Sequence, residues 1–208
     1  MTAKSRREEY AEATREAIIE SGLELFAEKG YQRTSLDEVA DRARVSKGAV
    51  YHHFESKREV FEAVFSMVSS SSVSQLTTRM SDDSNPRSAS IQNLLYSFFD
   101  ICVGRIYYRI VLQEGPGALG WELWRNFVQE SIEEPMLGMV KNFTRHPVAA
   151  EISDELLLRI LTSAIHELAL TVADNPNRSQ ATKEARLLIG ELATSFGLGQ
   201  ESSGPGQD

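Results

Sequence analysis

A chain of 208 residues has room for one large domain or for a small one joined to a larger one, and a composition 41% hydrophobic and 25% charged supports a real core and excludes a mainly disordered chain. The net charge of −8, from 22 Lys+Arg against 30 Asp+Glu, argues against indiscriminate coating of nucleic acid but leaves room for one local basic patch. A lone Cys102 excludes an intrachain disulfide framework and a thiolate zinc cluster; apolar runs such as Ile110-Val111-Leu112 fall far short of the roughly 18–20 residues that span a bilayer; and the N-terminus turns acidic at Glu8-Glu9, so a cytoplasmic location with no membrane partner is expected.

The first helix is expected from Glu12 to Lys29. Ile18, Gly22, Leu25 and Phe26 recur on one face, Ile19 and Leu23 widen it, and Glu16, Glu20, Glu24 and Glu28 lie opposite. Gly30 then reads as a C-cap, and Gly22, which costs about 1 kcal/mol inside a helix, points to close approach of another helix. Ser35 with Glu38 forms a capping-box pattern that opens a short second helix carrying Leu36, Val39, Ala40 and Ala43. Ser46 opens a third, from Lys47 to about His53, and a fourth runs from near Ser56 to about residue 80 with Val60, Phe61, Val64, Phe65 and Val68 as its stripe.

Ser69 to Ser72 and Ser81 to Pro86 are poor in helix formers, and the second of these is the loop. Residues 89–112 are expected to be helical with a break near Gly104, and Gly115-Pro116-Gly117 to form a turn. A helix follows from Gly120 to Glu134, ended or kinked by Pro135, and His146-Pro147 opens a connector. Asp154 to Ala173 is helical and apolar on nearly all sides, Asn175-Pro176-Asn177 breaks it, Ser179 to Phe196 is a last amphipathic helix, and 197–208 is a frayed tail. Internal repeats and convincing period-2 alternation are absent, so the fold class is all-α.

Two short helices about three residues apart, braced by their neighbours, match a helix-turn-helix, whose second helix enters the major groove. Val50 and Phe54, four residues apart, would face the core and turn Lys47, Gly48, Tyr51 and His52 outward. Lys47 can meet phosphate or a guanine edge, Gly48 lets backbone approach closely, and Tyr51 and His52 can donate to phosphate oxygens. Residues 29–58 carry a local excess of three positive charges on an acidic chain, and Lys4, Arg6 and Arg7 could add an N-terminal arm.

Further along lies an aromatic group, Phe98, Phe99, Tyr107, Tyr108, Trp121, Trp124 and Phe127, with Cys102, Glu114, His166 and Glu167 as polar companions. Such a set is either core or the lining of a mostly apolar ligand pocket. Catalysis is not expected: His166-Glu167 begins a metal-binding H-E-x-x-H but fails at Leu170, no phosphate-cradling glycine loop is present, and Cys102 sits in an apolar run; no metal or cofactor is expected.

Leu25-Phe26-Ala27-Glu28-Lys29-Gly30-Tyr31, Thr34-Ser35-Leu36, Val45-Ser46-Lys47-Gly48 and Tyr51-His52-His53-Phe54-Glu55-Ser56-Lys57 strongly resemble the DNA-binding domain of the tetracycline-repressor (TetR) family of bacterial transcription regulators, over roughly residues 12–68. The resemblance implies that Thr34 and Lys57 touch phosphates and that Ser46, Lys47, Gly48, Tyr51, His52 and His53 face the operator. Arg44 stands in the turn where the family often has glycine, which alters the turn and adds a positive charge near DNA. It further implies a dimeric repressor released by a small effector, which the apolar lining points to as largely apolar, with residues 1–55 as DNA-binding domain, 56–200 as effector and dimerisation domain, and 201–208 as tail. Phe98, Cys102, Tyr108, Trp121, Trp124, Phe127 and His166 are the candidate effector contacts. A palindromic operator needs two reading heads. The helix near 154–173 carries two stripes, Leu156-Ile160-Ala164-Leu168 and Leu157-Leu161-Ile165-Val172, and that near 179–196 carries Ala181, Ala185, Leu188, Leu192 and Phe196; paired with a second copy, they would form a four-helix bundle. The rival reading is a helical interaction module without DNA-binding activity.

Overall fold

The computed structural model describes residues 5–80, 91–140 and 151–196, and among these there is helix and no strand. The expected loop at Ser81–Pro86, the connector at His146-Pro147, Lys4 of the arm and the tail at 197–208 lie outside the described residues. The chain forms two compact units, one of Met1–Val68 with Arg109–Arg125, the other of Ser69–Tyr108 with Asn126–Asp208.

In the first unit α1 runs over Arg6–Lys29, two turns longer than the apolar pattern foretold. Its start is set by Ser5, which accepts from the Glu8 N–H while Glu8 reaches back, a capping box with no burial behind it. Helices α2 (Leu36–Ala43) and α3 (Lys47–His53) begin after the expected caps, Ser35 and Ser46. Helix α4 spans Lys57–Met80, straight through the serine run at 69–72. Ile18, Leu25 and Phe26 of α1, Val39 and Ala40 of α2, Val50 and Phe54 around α3, and Val60, Phe61, Val64 and Phe65 of α4 are all buried. Gly22 has the close approach its position called for: a Cβ there would lie 3.0 Å from Val60 Cγ1.

In the second unit α5 (Ile91–Cys102) breaks at Gly104 and α6 (Arg105–Tyr107) follows; from Arg109 the chain belongs to the first unit again, in a π-helical stretch, Tyr108–Glu114. The expected turn at Gly115-Pro116-Gly117 is instead a helix, α7 (Gly115–Leu119). Proline is tolerated in a first helical turn, where its missing N–H has no intrahelical partner to lose. Gly115 is buried under Trp124, where a Cβ would meet the indole at 2.7 Å, so close packing offsets glycine's poor propensity.

Helix α8 (Trp121–Val128) passes into a π turn, Gln129–Glu133, and then α9 (Glu134–Val140), so the helix continues past Pro135. The widened turn just before the proline shifts the hydrogen-bond ladder out of its ring's way. Helices α10 (Asp154–Asp174) and α11 (Arg178–Ser195) are capped by Ser153 and Asn177, and both contact α5. Helix α10 is by length and composition long and apolar enough to cross a membrane, against the expectation from uninterrupted runs alone. Its apolar residues lie on two sides, as those of a core helix do; one side, Leu157, Leu161, Ile165 and Val172, is buried.

Candidate functional site

The head of the first unit is built so that α3 turns one face in and the other out. Val50 and Phe54 are buried, while Ser46, Lys47, Gly48, Tyr51 and His52 are exposed, Tyr51 by 58%. Ser46 is spent as the cap, accepting from the Ala49 N–H at 3.1 Å. A Cβ on Gly48 would meet only Ser46 Oγ at 3.8 Å, so the backbone there is open to a close neighbour. His53 is half-buried, and burial first, then the nearby His52 and Arg15, lowers its pKa. It therefore stays neutral at neutral pH, while its rings-apart neighbour His52 sits 5.3 Å away on the open side.

The positive charges of the head are largely engaged. Lys47 pairs with Asp37, which raises the lysine's pKa; Lys29 pairs with Glu38; and Arg42 pairs with Glu24 at 2.8 Å and Glu28 at 3.2 Å. Hydrogen bonds from Lys29 and Ser35 lower the Glu38 carboxyl to about 2. These pairs are exposed except for the half-buried Lys29, so each contributes little to stability, and the exposed cations can exchange their partners for phosphate. Arg44 is exposed and forms no ion pair among the described residues; it adopts left-handed backbone (φ 57°, ψ 38°) and closes α2 by donating its N–H to the Ala40 and Asp41 carbonyls.

Two residues assigned to phosphates by resemblance have structural partners that sequence reasoning missed. Thr34 is 2% exposed, and its hydroxyl donates to the Gly30 carbonyl at 2.9 Å. Lys57 Nζ donates to the Tyr31 carbonyl at 2.9 Å and sits 4.4 Å over the Tyr31 ring, which itself meets Phe61 edge-on. An ammonium has three donors, so Lys57 keeps capacity for a phosphate beyond this tether. The same loop is held by Glu114, which accepts the Tyr31 N–H at 2.9 Å and pairs with Arg109 at 3.2 Å.

The candidate effector contacts divide between the units. Trp121 and Trp124 belong to the first: Trp124 is buried and donates to the Val111 carbonyl at 2.8 Å, and Trp121 is 68% exposed. In the second unit Phe98, Cys102 and His166 are brought together. The Tyr107 hydroxyl is 2.9 Å from His166 Nε2, and the Phe98 ring lies 5.4 Å from the imidazole. Burial pushes the Cys102 thiol up, as expected of an inert structural cysteine. Tyr108 and Phe127 are half-buried. Sequence reasoning missed Thr162 and Glu133, both buried, with Thr162 Oγ1 donating to Glu133 at 3.0 Å. The available signal was Arg159, Thr162 and His166 interrupting an apolar helix at one-face spacing. A cavity of about 390 Å³ opens beside Glu133, lined by none of the residues chosen from sequence.

Comparison with known proteins agrees with this geometry at both ends of the chain. Residues 18–64 match the family described as bacterial regulatory proteins, tetR family, and residues 90–196, more than half of the chain, match the tetracyclin repressor-like C-terminal domain. The transposon Tn10 TetC protein of Escherichia coli is 26% identical over 170 residues, 82% of this chain and 85% of that protein. Among solved structures, a TetR-family transcriptional regulator from Pectobacterium atrosepticum superposes with a TM-score of 0.71 at 20% identity, covering 95% of this chain and 99% of that one. The regulator FadR from Bacillus subtilis, solved with stearoyl-CoA, superposes with a TM-score of 0.64 at 14% identity, covering 86% and 98%. These two structural likenesses speak to the fold.

Proposed function

The chain belongs to the tetracycline-repressor (TetR) family of bacterial regulatory proteins, a family of transcription regulators rather than enzymes, and on that premise we propose that it represses from a palindromic operator as a homodimer and is released by a small molecule. The observation that carries the reading is the outward face of α3, with Lys47, Gly48, Tyr51 and His52 free of the core while Val50 and Phe54 anchor the helix from behind. Lys47, Tyr51 and His52 meet the operator, Arg44, Ser46, His53, Lys57 and Thr34 flank it, and Lys47 exchanges Asp37 for DNA on binding. Residues 1–55 serve as reading head and 56–200 as the effector and pairing part, in the cytoplasm.

Pairing is assigned to α10 and α11. Leu156, Ile160 and Leu188 are about half exposed and Leu187 is 70% exposed, a row of large apolar side chains on two neighbouring helices that a second copy would cover. The effector is small with a largely apolar body, received among Phe98, Tyr108, Phe127 and the Cys102–Tyr107–His166 group. That FadR, which shares the fold, was solved with stearoyl-CoA supports a small-molecule effector. Release requires the effector to prefer the state that cannot bind DNA, by about 5.5 kcal/mol to move a population from 1:99 to 99:1. Gel-shift titration against DNA upstream of the chain's own gene tests the reading: binding should select one palindrome and weaken steeply with salt. Binding indifferent to sequence, or none, would leave the helical interaction module.

A further inference from the structure

The cavity of about 390 Å³ in the second unit is lined by none of the side chains assigned to the effector and has a chemistry of its own. One wall is the π turn Gln129–Glu133 and the start of α9; the other is the first two turns of α10. Its size falls within the roughly 300–1,000 Å³ of small-molecule sites. Leu137 and Leu158 supply apolar surface, with Leu158 buried.

The polar groups fall into two sets. Arg159, the lone cation of the lining, is held on both sides: Nη2 donates to Gln129 Oε1 at 2.8 Å, and Nε lies 3.5 Å from Glu133 Oε2. Glu133 is 5% exposed, and its other oxygen accepts from Thr162. The guanidinium charge is therefore already balanced within the wall. Glu134 and Glu155, both exposed, form no ion pair among the described residues and leave the cavity with two surplus negative charges. The N-terminal end of α10 offsets part of the Glu155 charge but none of Glu134's. A concave, partly apolar wall concentrates the field of such charges more than open surface does.

We propose that this cavity binds a small organic cation with an apolar body, the ammonium lying between Glu134 and Glu155 and the body against Leu137 and Leu158. An anion meets uncompensated carboxylates there, and a neutral apolar molecule of the same shape leaves both of them without a partner. The site stands independently of the operator and effector assignments, because it is read by direct binding to the full chain without DNA.

Isothermal titration with 3-phenylpropylammonium, 3-phenylpropanol and 3-phenylpropionate separates charge from shape. The ammonium is expected to bind about tenfold or more tighter than the alcohol, and the carboxylate most weakly. The double variant Glu134→Gln, Glu155→Gln should abolish that preference while keeping alcohol binding and helix content. Leu137→Trp, which fills the cavity, should remove binding of both. Equal binding of ammonium and alcohol, tighter binding of the carboxylate, an ammonium preference that survives the double variant, or no ammonium binding at millimolar concentration would overturn the proposal.

Discussion

Arg44 carries a conflict between fold and function in a single residue. Left-handed backbone costs a residue with a Cβ about 1–2 kcal/mol relative to glycine, and among the described residues Arg44 is the one non-glycine at positive φ. Its side chain makes no ion pair there to offset that strain. Arg44→Gly should therefore raise stability by about 1 kcal/mol in urea unfolding while lowering operator affinity. A variant that loses stability would show that the guanidinium holds the turn; one that keeps full affinity would place Arg44 away from DNA. The substitution was legible in the sequence, because glycine is the residue such a turn favours. The inward commitment of Thr34 was not: a threonine beside a helix gives the same letters whether its hydroxyl faces DNA or, as here, the Gly30 carbonyl.

At the scale of elements, helix starts were readable because capping is local chemistry: Ser35 and Ser46 each accept from a backbone N–H three residues on. The start of α1 was also written locally, in Ser5 and Glu8, but the apolar face begins only at Ile18 and drew the boundary inward. The π turns and the helix at Gly115-Pro116-Gly117 were not readable, since they depend on what packs against them. Glu114 shows the same limit. It reads as a polar pocket residue, yet its carboxylate fixes the loop after α1 by accepting the Tyr31 N–H, so tightly that a Cβ on Gly30 would lie 2.6 Å from it. Glu114→Ala should cost about 1–3 kcal/mol by orphaning that N–H and leaving the Arg109 guanidinium with Gln113 but no carboxylate, and should speed hydrogen exchange at the Tyr31 amide. Unchanged exchange there would mean the loop is held without it.

At the scale of the molecule, the two-sided apolar pattern of α10 divides into a buried side and an open one. The stripe of Leu157, Leu161, Ile165 and Val172 is buried, and Leu156 and Ile160 of the other remain open. For α11 the anticipated stripe divides: Ala181 and Ala185 go inward with Ile189 and Ala193, and Leu188 stays outside beside Leu187. Periodicity alone cannot assign such borderline positions, because small and large residues share the face and only packing on α5 selects between them. Gly190 shows how tight that packing is, since a Cβ there would lie 2.8 Å from the Tyr96 hydroxyl. Ile160→Glu places a charge in the proposed pairing face without touching the core. Sedimentation should then report monomer, and operator affinity should fall with it. A dimer that survives would move the interface elsewhere.

The outward face of α3 is tested most directly by titrating the operator with Lys47→Ala and Tyr51→Ala, each lacking one group that this fold turns away from its core. Each variant is expected to lose about tenfold or more in affinity, with dimerisation and helix content as in the parent chain and a shallower salt slope for Lys47→Ala. Parent-like affinity in both variants would contradict the placement of this helix in the groove.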